Sequence, residues 1–226
     1  MLTSLLSEFT DIVTFDVETT GIDPKHDEII EIGMLRISSN QYGAIVKDEY
    51  STLIRLSAER YLLPAITNLT GITDRQLLDE GISKASACEK IVEILDCSNP
   101  LIVAFNAQFD LCFLYYFLSL HEKAFLLKNA KMLDALTIFK DRKPYPHKLS
   151  DAVQAYSLST NTAHRALGDA KITYELLCEM ENEYDDLFHY VNLFGFNPKY
   201  GITGTKISSI RYLPQEYNKQ YKLYEM

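Results

Sequence analysis

Five consecutive apolar residues, Leu101-Ile-Val-Ala-Phe105, stand between Pro100 and Asn106. A run this short, closed by a proline on one side, reads as a strand buried on both faces, which parallel pairing inside a helix-covered sheet provides. Such a strand needs a layer of structure above and below it, so the chain is predicted to be an α/β protein. Asp11 to Glu18 is a β-branched and aromatic strand ending at the turn-like Thr19-Thr20-Gly21. Ile29 to Ile37 and Tyr50 to Leu56 read as two more strands, joined by turn-rich stretches short enough for antiparallel neighbours. Helical periods follow around Tyr61 to Leu69 and Ser83 to Leu95, the latter placing Ala85, Cys88, Ile91, Val92 and Leu95 on one face. Beyond the apolar run, helices are expected at 108–121, Leu133 to Lys140 with Asp134 as N-cap, Leu149 to Tyr156 and Arg165 to Glu183, with Pro144-Tyr-Pro146 as a break. A right-handed crossover in this order sets the first strand beside the fourth and parallel to it. After Tyr184 the helical period fades into a tail with six tyrosines between Tyr190 and Tyr224. Residues 1–184 are therefore expected to form one domain and residues 185–226 an extension of it.

Composition removes several classes. The 226 residues are 47% hydrophobic and 23% charged, the balance of a globular protein rather than a disordered or fibrous one. No apolar run approaches the roughly 18 residues of a membrane span, and the N-terminal stretch meets acids before it makes a secretory core. The expected location is cytoplasmic, without membrane contact. Cys88, Cys97, Cys112 and Cys178 are widely spaced and lack histidine neighbours, which fits reduced thiols better than a zinc site or disulfides. The net charge of −9 argues against a general basic field that holds long duplex DNA. Its distribution is uneven, with +3 on residues 187–226 and −12 on the preceding 186.

Within the first strand, Val13, Phe15 and Val17 share one face, and Ile12, Thr14, Asp16 and Glu18 share the other. Two carboxylates about 7 Å apart by backbone rise are within reach of one cation and are costly beside a core without one. They are equally the solvated side of an edge strand. Asp110 lies five residues beyond the apolar strand, at the opening of the next helix, where the helix dipole alone would favour an acid. If strands one and four are parallel neighbours, their C-terminal ends meet, and Asp16, Glu18 and Asp110 converge. Asp169 interrupts the apolar stripe Ala166, Ala170, Thr173, Leu176, Leu177 and Met180 of the last long helix. A core-facing carboxylate needs a partner, and a cation shared with the other three acids is an economical one. His164 stands five residues before it.

Taken together, FDVETTG (Phe15 to Gly21), FNAQFD (Phe105 to Asp110) and HRALGDA (His164 to Ala170) resemble, in order and separation, the three motifs of the DEDDh 3'-to-5' exonucleases. The likeness is greatest to the proofreading epsilon subunit and exonuclease domains of bacterial DNA polymerase III. It covers about residues 10–182, and Leu69 to Leu77 is similar to the segment that family places after its third strand. The resemblance implies a ribonuclease H-like three-layer fold, with a mixed five-stranded sheet flanked by helices. It implies metal ligands at Asp16, Glu18, Asp110 and Asp169 and a general base at His164, with Thr19, Asn106 and Phe109 near the 3' nucleotide. Each of those last three also has a structural reading, as turn, cap or core residue. Arg165 occupies the place where the sister group carries its tyrosine base, which favours the histidine class. Phe105, where the polymerase subunit commonly has His, and Thr70, where it often has His, depart from the pattern.

The chemistry so implied is hydrolysis of a phosphodiester to 5'-mononucleotides, assisted by two divalent cations, Mg2+ or Mn2+, which suit four carboxylates. The expected substrate is the 3' end of single-stranded DNA. RNA, a catalytically idle binding module and a small phosphodiester are the competing readings. A DNA polymerase or a second copy of this chain is the expected occupant of the C-terminal extension, whose tyrosines equally serve its own packing.

Overall fold

The computed structural model describes residues 2–128, 130–159, 165–216 and 221–226. In chain order its elements are α1 (Thr3–Glu8), β1 (Asp11–Thr19), β2 (Ile29–Asn40), β3 (Gly43–Leu53), α2 (Pro64–Thr70), α3 (Asp74–Asp79), α4 (Lys84–Leu95) and β4 (Pro100–Ala104). There follow α5 (Ala107–Leu120), α6 (Phe125–Lys128), β5 (Lys131–Asp134), α7 (Ala135–Arg142), α8 (Leu149–Ala155), α9 (Ala166–Glu183), β6 (Leu193–Phe196) and β7 (Arg211–Pro214).

The central sheet runs β3-β2-β1-β4-β5. β1, β2 and β3 form an antiparallel meander, while β4 pairs parallel with both β1 and β5. The predicted adjacency of the first and fourth strands is thus observed, in the register Ile12 opposite Leu101 and Thr14 opposite Val103. β4 is buried at all five positions, as its unbroken apolar run requires. The alternation of β1 also holds. Val13, Phe15 and Val17 enter a core with Ile91 and Leu95 of α4 and Leu111, Phe113 and Leu114 of α5. Ile12 enters a second core on the opposite face with Ile138 and Phe139 of α7 and Leu176, Leu177 and Met180 of α9. Helices on both sides of a mixed five-stranded sheet give three layers.

Several segments differ from the sequence expectation. β3 begins at Gly43 rather than Tyr50, because pairing with β2 extends past the polar run Lys47-Asp48-Glu49, across a register shift at Lys47, to the exposed Val46 and Ile45. The helix expected from Leu133 starts at Ala135, since Lys131–Asp134 is drawn into the sheet beside β4. Asp134 still caps that helix, its side chain accepting from the Leu136 and Thr137 N–H groups. α1, α3 and α6 were not expected. The Thr73-x-x-Gln76 capping box that opens α3 was a readable signal for it.

Beyond α9 the chain packs back against α7 and β5. Tyr190 is fully buried with its hydroxyl 3.1 Å from Asp141, and Asn192 exchanges hydrogen bonds with Met132 at 2.8 and 2.9 Å. β6 and β7 form a small parallel pair. Tyr190 thus belongs to packing, whereas Tyr200 is 73% exposed. All four cysteines are free. Among the described residues no helix is long and apolar enough to cross a membrane.

Candidate active site

The parallel pairing of β1 and β4 brings their C-terminal ends to one edge of the sheet, where open α/β sheets place their sites. Asp16 and Glu18 rise from the end of β1, both half-buried. At the end of β4 the chain turns sharply through Asn106, whose left-handed backbone (φ 67°, ψ 45°) starts α5 at once. Asparagine tolerates that conformation at small cost. The turn sets Asp110 in the first turn of α5, 3% exposed, with Oδ1 accepting the Val17 N–H at 3.3 Å. Asp169 arrives from the opposite layer, in the first turn of α9. One carboxylate oxygen each of Asp16, Glu18 and Asp169 lies within 4.8 Å of the others. Asp110 adjoins this trio through β1 and is outside that grouping.

Helix α9 reaches the sheet because of two residues that the sequence reading did not single out. Gly33 stands opposite Asp16 across the β1–β2 ladder, and a Cβ there would lie 2.0 Å from the Leu167 backbone nitrogen. Only glycine admits the helix backbone at this distance. Two residues earlier in β2, the fully buried Glu31 accepts from Arg165 Nε at 2.9 Å and from the Ala166 N–H at 3.4 Å, with Arg165 Nη2 at 2.7 Å. A buried carboxylate is tolerable when paired in this way, and the pair ties the chain entering α9 to the sheet. An acid and a glycine inside the apolar strand Ile29–Met34 were the available signals.

The cluster is electrostatically loaded. Burial pushes the Asp16 carboxyl well above the usual range, and repulsion from Asp110, Asp169, Glu18 and Glu31 adds to it. Glu18 is raised to about 7, chiefly by burial and then by Asp169 and Glu31, with Arg165 opposing. Asp110 is raised by burial against the relief from backbone N–H groups, Asp134 and Glu18 adding to the rise. Oxygen donors crowded into one pocket with surplus negative charge fit a hard divalent cation. An acid with a raised folded pKa keeps a proton that the unfolded chain has lost. Stability without cation therefore falls as pH climbs from 4.5 to about 7. Saturating Mg2+ should raise the unfolding midpoint by about 5 to 10 °C near neutral pH and by much less near pH 5. Midpoints that neither Mg2+ nor Mn2+ moves at either pH would contradict a cation site here.

The remaining sequence candidates are distributed as follows. Thr19 is buried and its hydroxyl donates to the Gly21 carbonyl at 2.6 Å, a turn contact beside Glu18. Phe109 is half-buried against the core, its ring 4.9 Å from that of Phe113. Asn106 is exposed at the strand-to-helix turn. His164 lies outside the described residues.

Comparisons with known proteins identify the family. Residues 13–177 match the family model described as Exonuclease. The DNA polymerase III PolC-type of Thermotoga petrophila is 37% identical over 168 residues, 73% of this chain and 11% of that one. The DNA polymerase III subunit epsilon of Treponema pallidum is 32% identical over 178 residues, 76% of this chain and 77% of that one. The 3'-5' exonuclease DinG of Staphylococcus epidermidis is 32% identical over 186 residues, 78% of this chain and 19% of that one. The chain thus spans about a tenth to a fifth of the PolC and DinG chains. Among solved structures, E. coli exonuclease I in complex with a dT13 oligonucleotide superposes with a TM-score of 0.68 at 16% identity, over 80% of this chain and 43% of that one. That likeness carries the fold, which is ribonuclease H-like.

Proposed function

The chain belongs to the exonuclease family, and on that premise we propose that it is a 3'-to-5' exonuclease that shortens single-stranded DNA to 5'-mononucleotides. The observation that carries the proposal is the meeting of Asp16, Glu18 and Asp169 within 4.8 Å, with Asp110 beside them. These four acids come from a strand and two helices distant in sequence, and local folding has no reason to crowd them together. Bound divalent cations, two in this reading and Mg2+ or Mn2+ by their oxygen ligands, would activate water and neutralise charge on the departing 3' oxygen.

The chain's own residues do the rest. Asp16, Glu18, Asp110 and Asp169 would hold the ions, and the Val17 N–H orients the Asp110 carboxylate. The Glu31–Arg165 pair fixes the start of α9 and with it Asp169. His164 precedes Arg165 in the chain and in this reading takes the proton of the attacking water. Thr19, Asn106 and Phe109 flank the terminal nucleotide. Residues 1–184 form the nuclease and residues 185–226 extend it. Association with a DNA polymerase, and with it a proofreading role, belongs to the same proposal by likeness to the polymerase III chains.

The test uses 5'-labelled single-stranded DNA and RNA with Mg2+, Mn2+ or a chelator. A ladder shortening from the 3' end, absent with chelator, is expected, with DNA the better substrate. Endonucleolytic fragments, or cleavage that persists in chelator, overturn the proposal. The rate should rise through about pH 6 to 7, and His164→Ala should lose roughly a hundredfold together with that rise. A variant with an unchanged pH profile removes His164 from the role.

A further inference from the structure

The edge of the sheet that carries the acids also holds a second concavity, of about 190 Å³, where β4 and β5 end. Asn106 follows β4 and Asp134 closes β5, and both strands run parallel to β1. Neighbouring strands lie about 4.8 Å apart, so the strand ends that the cavity meets are one and two strands removed from β1, which bears Asp16 and Glu18. One wall is the start of α5 and Lys140 of α7, and the other is the end of β6 at Phe196 with the segment that follows it, including Tyr200.

That second wall is fastened to the helix that bears Asp110. Gln108 Nε2 donates to the Thr203 and Thr205 carbonyls at 2.8 and 2.9 Å, and its Oε1 accepts from the Tyr212 hydroxyl at 2.6 Å. One side chain thus sets the C-terminal segment at a fixed place beside the site. The surface so formed differs from the acidic body. Lys140 is half-buried in the wall, Tyr200 is 73% exposed, and Lys199 Nζ stands 5.0 Å from the Tyr200 ring centre. Residues 187–226 carry +3 against −12 for the rest. Asp134, the acid in the wall, is only 5% exposed, and its oxygens accept from the Ala107, Leu136 and Thr137 N–H groups and the Thr137 hydroxyl. Its charge is taken up within the fold.

We propose that this cavity is the track for the single strand behind the terminal nucleotide, a base stacking on Tyr200 and a phosphate meeting Lys140. The proposal rests on the exonuclease reading and deepens it. An enzyme that consumes a strand from its end needs a path for the remainder. A nearby aromatic face with adjacent cations is the chemistry that holds unpaired nucleotides without reading their sequence. DNA and RNA share that chemistry, so both are tried.

The test compares Tyr200→Ala and Lys140→Ala with wild type in the full chain. The p-nitrophenyl ester of thymidine 5'-monophosphate occupies the reaction centre alone, whereas a long single strand also fills the track. Each variant should raise KM for the long strand roughly tenfold and leave ester hydrolysis unchanged. Lys140→Ala should also reduce the salt dependence of strand binding by about one phosphate contact. Binding of a fluorescent single strand, read by anisotropy, should weaken in parallel. Unchanged strand affinity in both variants overturns the track, as does an equal fall for ester and strand. Failure of the exonuclease reading looks different: wild type would then hydrolyse neither substrate, and the anisotropy measurement would still decide the track.

Discussion

Asp16→Asn should lower nuclease activity by about a thousandfold or more, since each 1.36 kcal/mol of lost transition-state stabilisation is tenfold and metal-assisted hydrolysis draws several from its ligands. The substitution keeps the side chain's shape and removes its charge. Burial first, and then the neighbours Asp110, Asp169, Glu18 and Glu31, hold the Asp16 carboxyl well above its usual range, and an asparagine has no charge for either to penalise. The cation-free variant should accordingly unfold at the same temperature as wild type or higher near neutral pH, and its gain on adding Mg2+ should shrink. Activity and stability moving in opposite directions is the signature of a residue retained for function at a cost to the fold. Two measurements decide it: strand shortening, and thermal unfolding with and without Mg2+. Wild-type activity in the variant would remove Asp16 from the reaction. Inactivity with a collapsed melting temperature would make it a structural residue.

Gly33→Ala is the second large effect. The new methyl would stand 2.0 Å from the Leu167 nitrogen and 2.2 Å from the Ala166 carbonyl carbon. Both are backbone atoms and cannot rotate away, so α9 must shift off the sheet. Overpacking of this kind costs about 1 to 3 kcal/mol. The displaced element carries Asp169 and begins next to the Glu31–Arg165 pair. A misplacement of about 1 Å at a reaction centre costs on the order of a hundredfold in rate. Gly33→Ala should therefore melt several degrees lower and lose most activity while keeping its helical circular dichroism. Glycine opposite Asp16 would be incidental if the variant matched wild type in both respects.

Much of the arrangement was readable from local pattern, because burial writes a period into the chain. The apolar run 101–105 called for a doubly covered parallel strand, and β4 is that strand. The two-residue alternation of 11–18 separated Val13, Phe15 and Val17 from Asp16 and Glu18, and each set occupies its expected face. The first half of the edge strand β3 is not legible in local pattern, because an exposed edge is specified by backbone pairing rather than by an alternation of buried side chains. β5 is hidden in the helical pattern that follows it for a related reason: four residues are too few to show a period, and the sheet beside them decides.

What the sequence alone determined was the identity of the acids and the faces they occupy, since alternation and helical spacing are properties of the local chain. That three carboxylates stand within 4.8 Å of one another was decided only by tertiary structure. Parallel pairing of β1 with β4 places two strand ends together, and the bare backbone at Gly33 with the Glu31–Arg165 pair admits α9 against them. Distances between residues so remote in the chain depend on packing that no short window of sequence encodes.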